Sequence, residues 1–103
     1  MYISRLYFHS CPGKTLALEQ GLKGLLEMAA MAGGKNCKIL RAHFASPGAP
    51  DVIFEQEAAD LASLDNQINK VKGTSDFQKW SKQTSQLLEQ SPKREVYFVV
   101  EPN

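Results

Sequence analysis

From Tyr2 to His9 the chain alternates between two sets of side chains and is rich in aromatic and β-favouring residues, which predicts a strand. Cys11-Pro12-Gly13 punctuates it. From Lys14 to Met31 the apolar spacing becomes helical: Leu18, Leu22, Leu25 and Ala29 fall on one stripe, and Leu26 widens it. Gly21 and Gly24 lie inside this helix and cost it roughly 0.5–1 kcal/mol each relative to Ala, so close packing onto a neighbour is expected there. Gly33-Gly34 stops the helix. Lys38 to Ala45 reads as a second strand, residues 46–50 as a turn by composition, and Asp51 to Glu57 as a third strand. Asp60 or Ser63 is placed to cap the next helix, whose stripe is Leu61, Leu64, Ile68 and Val71. Gly73-Thr74-Ser75 interrupts it, and Phe77, Trp80, Thr84, Leu87 and Leu88 resume it. After Ser91-Pro92, Glu95 to Glu101 forms the last strand.

The order is β-α-β-β-α-β over one domain, residues 1–103. Right-handed, unthreaded connections favour one α+β solution, the ferredoxin-like plan: a four-stranded antiparallel sheet in the order 4-1-3-2 with the helices on one face. Period-two alternation then divides every strand. Leu6, Phe8, Leu40, Ala42, Phe44, Val52, Phe54, Val96, Phe98 and Val100 form a nearly all-apolar set, expected under the helices. The other set is Ile3, Arg5, Tyr7, His9, Ile39, Arg41, His43, Ile53, Glu55, Glu57, Tyr97 and Val99. It is too apolar for a solvated surface and too charged for a dry core. A second copy of the chain, laid on this face and leaving a semi-buried cavity, satisfies both constraints.

Composition narrows the class. Apolar residues make up 43% of 103 residues, and 12 Lys+Arg stand against 11 Asp+Glu, so no global field draws in nucleic acid or an anionic membrane. No apolar run approaches the roughly 18 residues of a membrane span, and the opening residues lack a signal-peptide core, so a soluble, cytoplasmic protein is expected. Cys11 and Cys37 are too few for a disulfide framework or a zinc site. The topology separates them by roughly 20 Å, against the about 7 Å between Cα atoms that a disulfide requires, so both are expected as free thiols. Gly13-Lys14-Thr15 matches the end of a phosphate loop, but Phe8 occupies the place of its first glycine.

The strand ending Phe8-His9-Ser10-Cys11-Pro12-Gly13-Lys14 resembles the strand-Pro-Gly-Lys/Arg opening of the dimeric α+β barrel superfamily. Val52-Ile53-Phe54-Glu55 before a helix, Phe77-Gln78-Lys79-Trp80 after a Ser-containing break, and Val96-Tyr97-Phe98-Val99-Val100 are similar to its third strand, second helix and closing strand. Antibiotic-biosynthesis-type monooxygenases, NIPSNAP-like proteins and haem-degrading monooxygenases share this plan. The resemblance implies a homodimer whose sheets close into a barrel, and a small-molecule site between the sheet and the helices of each subunit. Asp60 to Gln90 contains no His, so the haem-ligating residue of the haem-degrading members has no counterpart.

The chemistry-bearing residues follow. His9 and His43, on one expected face and about 10 Å apart across an intervening strand, are candidate proton acceptors for a substrate lying between them. Arg5 and Arg41 are candidates to hold an anionic group, or else to pair with Glu55 or Glu57. Tyr7 and Tyr97 are placed to stack on an aromatic ligand, or else to fill the barrel. Trp80, beside Phe77 on a helix stripe, is a candidate wall of a pocket or part of the core. No cofactor or metal motif is present. The leading expectation is a homodimeric small-molecule-binding protein acting as a cofactor-independent monooxygenase on a small aromatic substrate. The alternative is a non-catalytic ligand-binding or structural dimer.

Overall fold

The computed structural model describes residues 1–101. Its elements are β1 (Tyr2–Phe8), α1 (Thr15–Met31), β2 (Lys35–Arg41), β3 (Val52–Ala58), α2 (Leu61–Lys72), α3 (Ser75–Ser85) and β4 (Lys93–Phe98). The sheet is antiparallel in the order β2-β3-β1-β4, the expected 4-1-3-2 read from the other edge. Among the described residues no helix is long and apolar enough to cross a membrane.

The helices form where the periodicity and the caps agree. α1 buries Leu18, Leu22, Leu25 and Ala29, the expected stripe. It ends in a Schellman motif, with Gly34 N donating to Ala29 O, Gly33 N to Ala30 O, and Gly33 in the left-handed region at φ 98°. The Asp60 side chain accepts from Ser63 N and starts α2, so Asp60 rather than Ser63 is the cap. Thr74 accepts from Phe77 N and starts α3, so the expected interruption is a new N-cap. Beyond α3, Leu88 bridges Ser10, and Cys11 N donates to Leu87 O, which ties the end of the helical layer to the exit of β1.

The core is Phe8, Leu18, Leu22, Leu25, Ala29, Val52, Phe54 and Val71, with Cys37 and Ile39 packed against it. Ile39 therefore points the other way from the expected assignment. In register, Ile39 pairs with Phe54 and Arg41 with Val52 on the helix side, while Lys38 and Leu40 join Glu55 and Ile53 on the open side. Ile39 and Leu40 are both apolar, so alternation alone could not choose a face. β2 is also an edge strand, so Arg41 can run along the helix side and still reach solvent. Cys37 lies within β2, not before it: the strand starts at Lys35 with an irregularity between Lys35 and Lys38, where Asn36 sits at φ 49°. The strand also stops at Arg41, so Ala42 and Phe44 lie in the exposed connection instead of under the helices, and Phe44 is 93% exposed.

β4 begins two residues earlier than expected and ends at Phe98. Val96 and Phe98 share the helix side with Ser4 and Tyr2, as alternation implied, but the helices do not cover them: Phe98 is 60% exposed, and Val100, beyond the strand, is likewise bare. The early start adds Arg94 to the helix side, directly across from Leu6.

The two α1 glycines face α3. A Cβ at Gly24 would stand 3.5 Å from Trp80 Cδ1, and one at Gly21 would stand 3.6 Å from Thr84 Oγ1, both ordinary van der Waals contacts. Gly34 differs: its Cβ would come within 2.8 Å of Ala29 O and 2.9 Å of both Cys37 Sγ and Gln56 Oε1. Gly24→Ala is accordingly expected to stabilise the protein by about 0.5–1 kcal/mol. Gly34→Ala is expected to destabilise it by about 1–3 kcal/mol through overpacking. Urea denaturation of the two variants against the parent checks both signs.

Candidate functional site

Apart from Arg41 at the end of edge strand β2, the helix side of the sheet is interrupted by polar residues at three positions. Ser4, Gln56 and Arg94 interrupt it on the three adjacent strands β1, β3 and β4. Ser4 and Gln56 are almost fully buried and paired in register. Arg94 Nη1 donates to Ser4 Oγ. Arg94 is an exposed residue of β4; partial desolvation by its neighbours pulls the guanidinium below its ordinary pKa, and among the described residues no carboxylate pairs with it. A guanidinium has five donor hydrogens, and one of them is accounted for by Ser4.

Above these residues lies a cavity of about 340 Å³ between the sheet and the helices. Leu6 and Phe54 form its floor, Phe77 and Trp80 of α3 its aromatic wall, and Arg94 and Lys72 its cationic groups. Trp80 Nε1 donates to Gly21 O at 2.7 Å, which satisfies the indole and fixes its plane. The Phe77 and Trp80 rings stand 5.5 Å apart, tilted by 31°. The cavity lining contains no His, Asp or Glu. Gln56 also borders a second cavity of similar size, on the side of α2 and the end of α1. There Gln67, 8% exposed, donates from Nε2 to Ala29 O, while its buried Oε1 has no partner. An unsatisfied buried acceptor costs about 1–3 kcal/mol.

The open side carries most of the residues singled out from sequence. Arg5 Nε donates to Glu55 Oε1 at 2.8 Å, Lys38 lies 3.6 Å from the same carboxylate, and the Arg5 guanidinium sits 5.6 Å from the centre of the Tyr97 ring. Hydrogen bonding to Glu55 holds Arg5 above its ordinary pKa. Tyr7 and Tyr97 join hydroxyl to hydroxyl at 2.9 Å, and Tyr97 donates to Glu95 at 2.7 Å. These bonds, the one to Tyr7 foremost, push the Tyr97 phenol well above its usual range. Glu57 accepts from Asn36 Nδ2. The Arg–Glu pairing expected from sequence is therefore formed by Arg5 and Glu55.

Arg41 and the histidines are placed elsewhere. Arg41 makes a two-pronged bond to Glu19 of α1, 2.6 Å on each prong, and leaves the face on which it was expected. His9 lies just past β1, its Nε2 3.1 Å from Gly48 O and its Nδ1 3.1 Å from Gln90 Nε2, an arrangement that fits the Nε2–H tautomer. His43 is exposed beyond β2, its ring packed edge-on to Phe44 at 4.5 Å. The two histidines share no cavity, and neither lines the one beside Trp80. Of the sequence candidates only Trp80 does. Cys11 and Cys37 are free, and burial pushes the Cys37 thiol up, away from reactivity.

With this geometry in hand, comparison with solved structures gives the class. An uncharacterized NIPSNAP domain protein from Burkholderia xenovorans superposes with a TM-score of 0.79 over 100% of both chains at 12% identity. An antibiotic biosynthesis monooxygenase gives 0.68 over 98% of this chain and 100% of the other at 16% identity. A Pseudomonas aeruginosa protein gives 0.71 over 97% and 94% at 19% identity. The fold is thus the ferredoxin-like α+β fold of the antibiotic-biosynthesis-monooxygenase-like and NIPSNAP-like structures. No protein-family model matches the sequence, and no curated protein matches it.

The open-face hydrogen-bond chain has a measurable consequence. Because the folded Tyr97 pKa is raised, its contribution to stability is in place below about pH 10 and is lost as pH rises from there through the folded value. Tyr7→Phe removes the largest cause and is expected to bring Tyr97 ionisation down toward about 10. Phenol-ring NMR shifts followed against pH read this directly. An ordinary Tyr97 titration in the parent protein shows that the chain of hydroxyls does not form in solution.

Proposed function

We propose that the cavity beside Trp80 binds a small phenolic or quinol-like aromatic, and that the protein is a cofactor-independent monooxygenase of such substrates. The observation that carries this reading is the pairing of an aromatic wall, Phe77 and Trp80, with the carboxylate-free guanidinium of Arg94 at the solvent-facing side of one cleft. An aromatic ring in that space is held by stacking and burial. Its oxygen, facing Arg94 with Lys72 nearby, is favoured as the anion, because a phenolate accepts a charge-assisted hydrogen bond from the guanidinium.

Deprotonation is the step these residues can promote. The lining offers no carboxylate or imidazole, so the proton leaves to solvent and the cations lower the phenol's pKa. An electron-rich phenolate then reduces molecular oxygen. The ring carbon para to the phenolate loses its hydrogen and gains one oxygen atom as a carbonyl. The other oxygen atom departs as water, so one phenol and one O₂ give one quinone and one H₂O. The same lining also supports the non-catalytic alternative, a ligand-binding protein, since the chain supplies no base of its own.

The proposed assembly is a homodimer through the open face. Ile3, Leu40, Ile53, Tyr7 and Tyr97 give that face an apolar surface, while Arg5 and Lys38 already share the Glu55 carboxylate. The wet pocket expected between the sheets is not needed by this reading, because the cavity of interest lies on the helix side.

Two measurements test it. Quenching of Trp80, the single tryptophan, reports binding of 1-naphthol and of hydroquinones, and an oxygen electrode reports turnover. Arg94→Met is expected to weaken naphtholate binding roughly tenfold to a hundredfold, the worth of a charge-assisted hydrogen bond. His9→Ala and His43→Ala are expected to change it little. Binding without oxygen uptake selects the ligand-binding alternative, and no quenching by any phenol overturns both. Sedimentation at the mass of one chain overturns the dimer.

A further inference from the structure

The second cavity is not explained by that reading. It lies at the opposite end of the helical layer, about 340 Å³ in volume, and includes Gly34, Lys35, Gln56, Ser63, Gln67 and Lys70 in its lining. That volume is roughly ten times the space one water takes in the liquid, and it falls in the range of small-molecule sites.

Its chemistry is divided. The inner part offers acceptors: Gln67 Oε1 is buried and unpartnered, and Gln56 Oε1 lies beside Gly34, where a Cβ would come within 2.9 Å of it. α1 ends here, with the negative end of its dipole at Ala32–Gly34 and no basic residue in its last turn. The outer part carries the Lys35 and Lys70 ammonium groups, both on exposed residues. Glu57, which also lines the cavity, has its carboxylate engaged by Asn36. Acceptors and a helix C-terminus select a cationic donor; two lysines select an anion. One small molecule that carries both, an ammonium and a carboxylate on neighbouring atoms, meets both requirements.

We infer that this rear cavity is a binding site for a small free α-amino acid, its ammonium directed to the Gln67 and Gln56 amide oxygens and its carboxylate to Lys35 and Lys70. The ammonium supplies the hydrogen bond that Gln67 Oε1 lacks. The absence of a side chain at Gly34 keeps the inner end open. The inference stands independently of the phenol site, since the two cavities meet only at Gln56.

The experiment is an amide-proton NMR titration of the whole protein with L-alanine. Propionate, which lacks the ammonium, and ethylamine, which lacks the carboxylate, are run alongside. Saturable shifts are expected at Gly33, Gly34, Ser63 and the Gln67 side-chain amide with L-alanine, and not with either control, while the Trp80 indole resonance stays in place. Gln67→Met, which keeps the chain length and removes the oxygen, is expected to weaken binding at least tenfold. Gly34→Ala is expected to abolish it, and where that variant fails to fold, the Gln67→Met result stands alone. Equal shifts with propionate reduce the site to two surface lysines and overturn the inference. So does an unchanged affinity in Gln67→Met, or the absence of any saturable shift, which leaves a cavity filled by water alone. None of these outcomes bears on phenol binding beside Trp80.

Discussion

The bond from Trp80 Nε1 to Gly21 O governs the geometry of the helical layer. Among the described residues of α3 only Thr84 is fully buried; Phe77 and Trp80 pack against the core, and the exposed face of the helix is polar. The indole provides the apolar area, packing over Gly24, and its N–H finds a backbone carbonyl of α1. This docking leaves α3 propped above the sheet instead of pressed onto it. The gap beneath Trp80 and Phe77 is the cavity, so the aromatic wall and the vacant volume have one cause.

Much of the architecture was legible in the order and period of the side chains. The strand order, the α1 stripe and the break at Gly73-Thr74-Ser75 all follow from local chemistry that the tertiary structure did not override. The faces of β2 did not, because Ile39 and Leu40 are equivalent to an alternation argument and an edge arginine can sit on either side. That inversion moved Arg41 from the open face to Glu19 on α1. The placement of the histidines failed for a related reason: both strands stop short of them, so His9 and His43 belong to connections whose direction alternation does not set.

The cavity itself was hidden by a boundary. Starting the last strand at Glu95 left Arg94 without a face, and so without a role. Counting from Lys93 puts Arg94 on the apolar side, two strands from Gln56 and beside Ser4. The signal available in the sequence was the polar residue on an otherwise apolar face: Ser4 in β1 and Gln56 in β3 both occupy positions whose neighbours at two-residue spacing are apolar. The fold resemblance implied a site between sheet and helices, and the polar rungs mark where on that interface to look.

Those rungs argue against a purely structural reading of the helix side. A sheet face sealed by helices is most stable when every position on it is apolar, and replacing buried polar groups by hydrocarbon of the same shape is commonly neutral or favourable. Ser4 and Gln56 are such a cost to the packing, and Arg94, exposed on the adjacent strand, reaches over to donate to Ser4. The open side shows the opposite economy: its charges are paired among themselves, Arg5 and Lys38 with Glu55 and Tyr97 with Glu95, so covering it leaves few groups unsatisfied. The two faces of one sheet thus differ in the sense that matters for function. On one, polarity is neutralised within the chain, which suits a surface to be covered. On the other, polarity is left incomplete around an empty volume, which suits a site whose last partner arrives from outside.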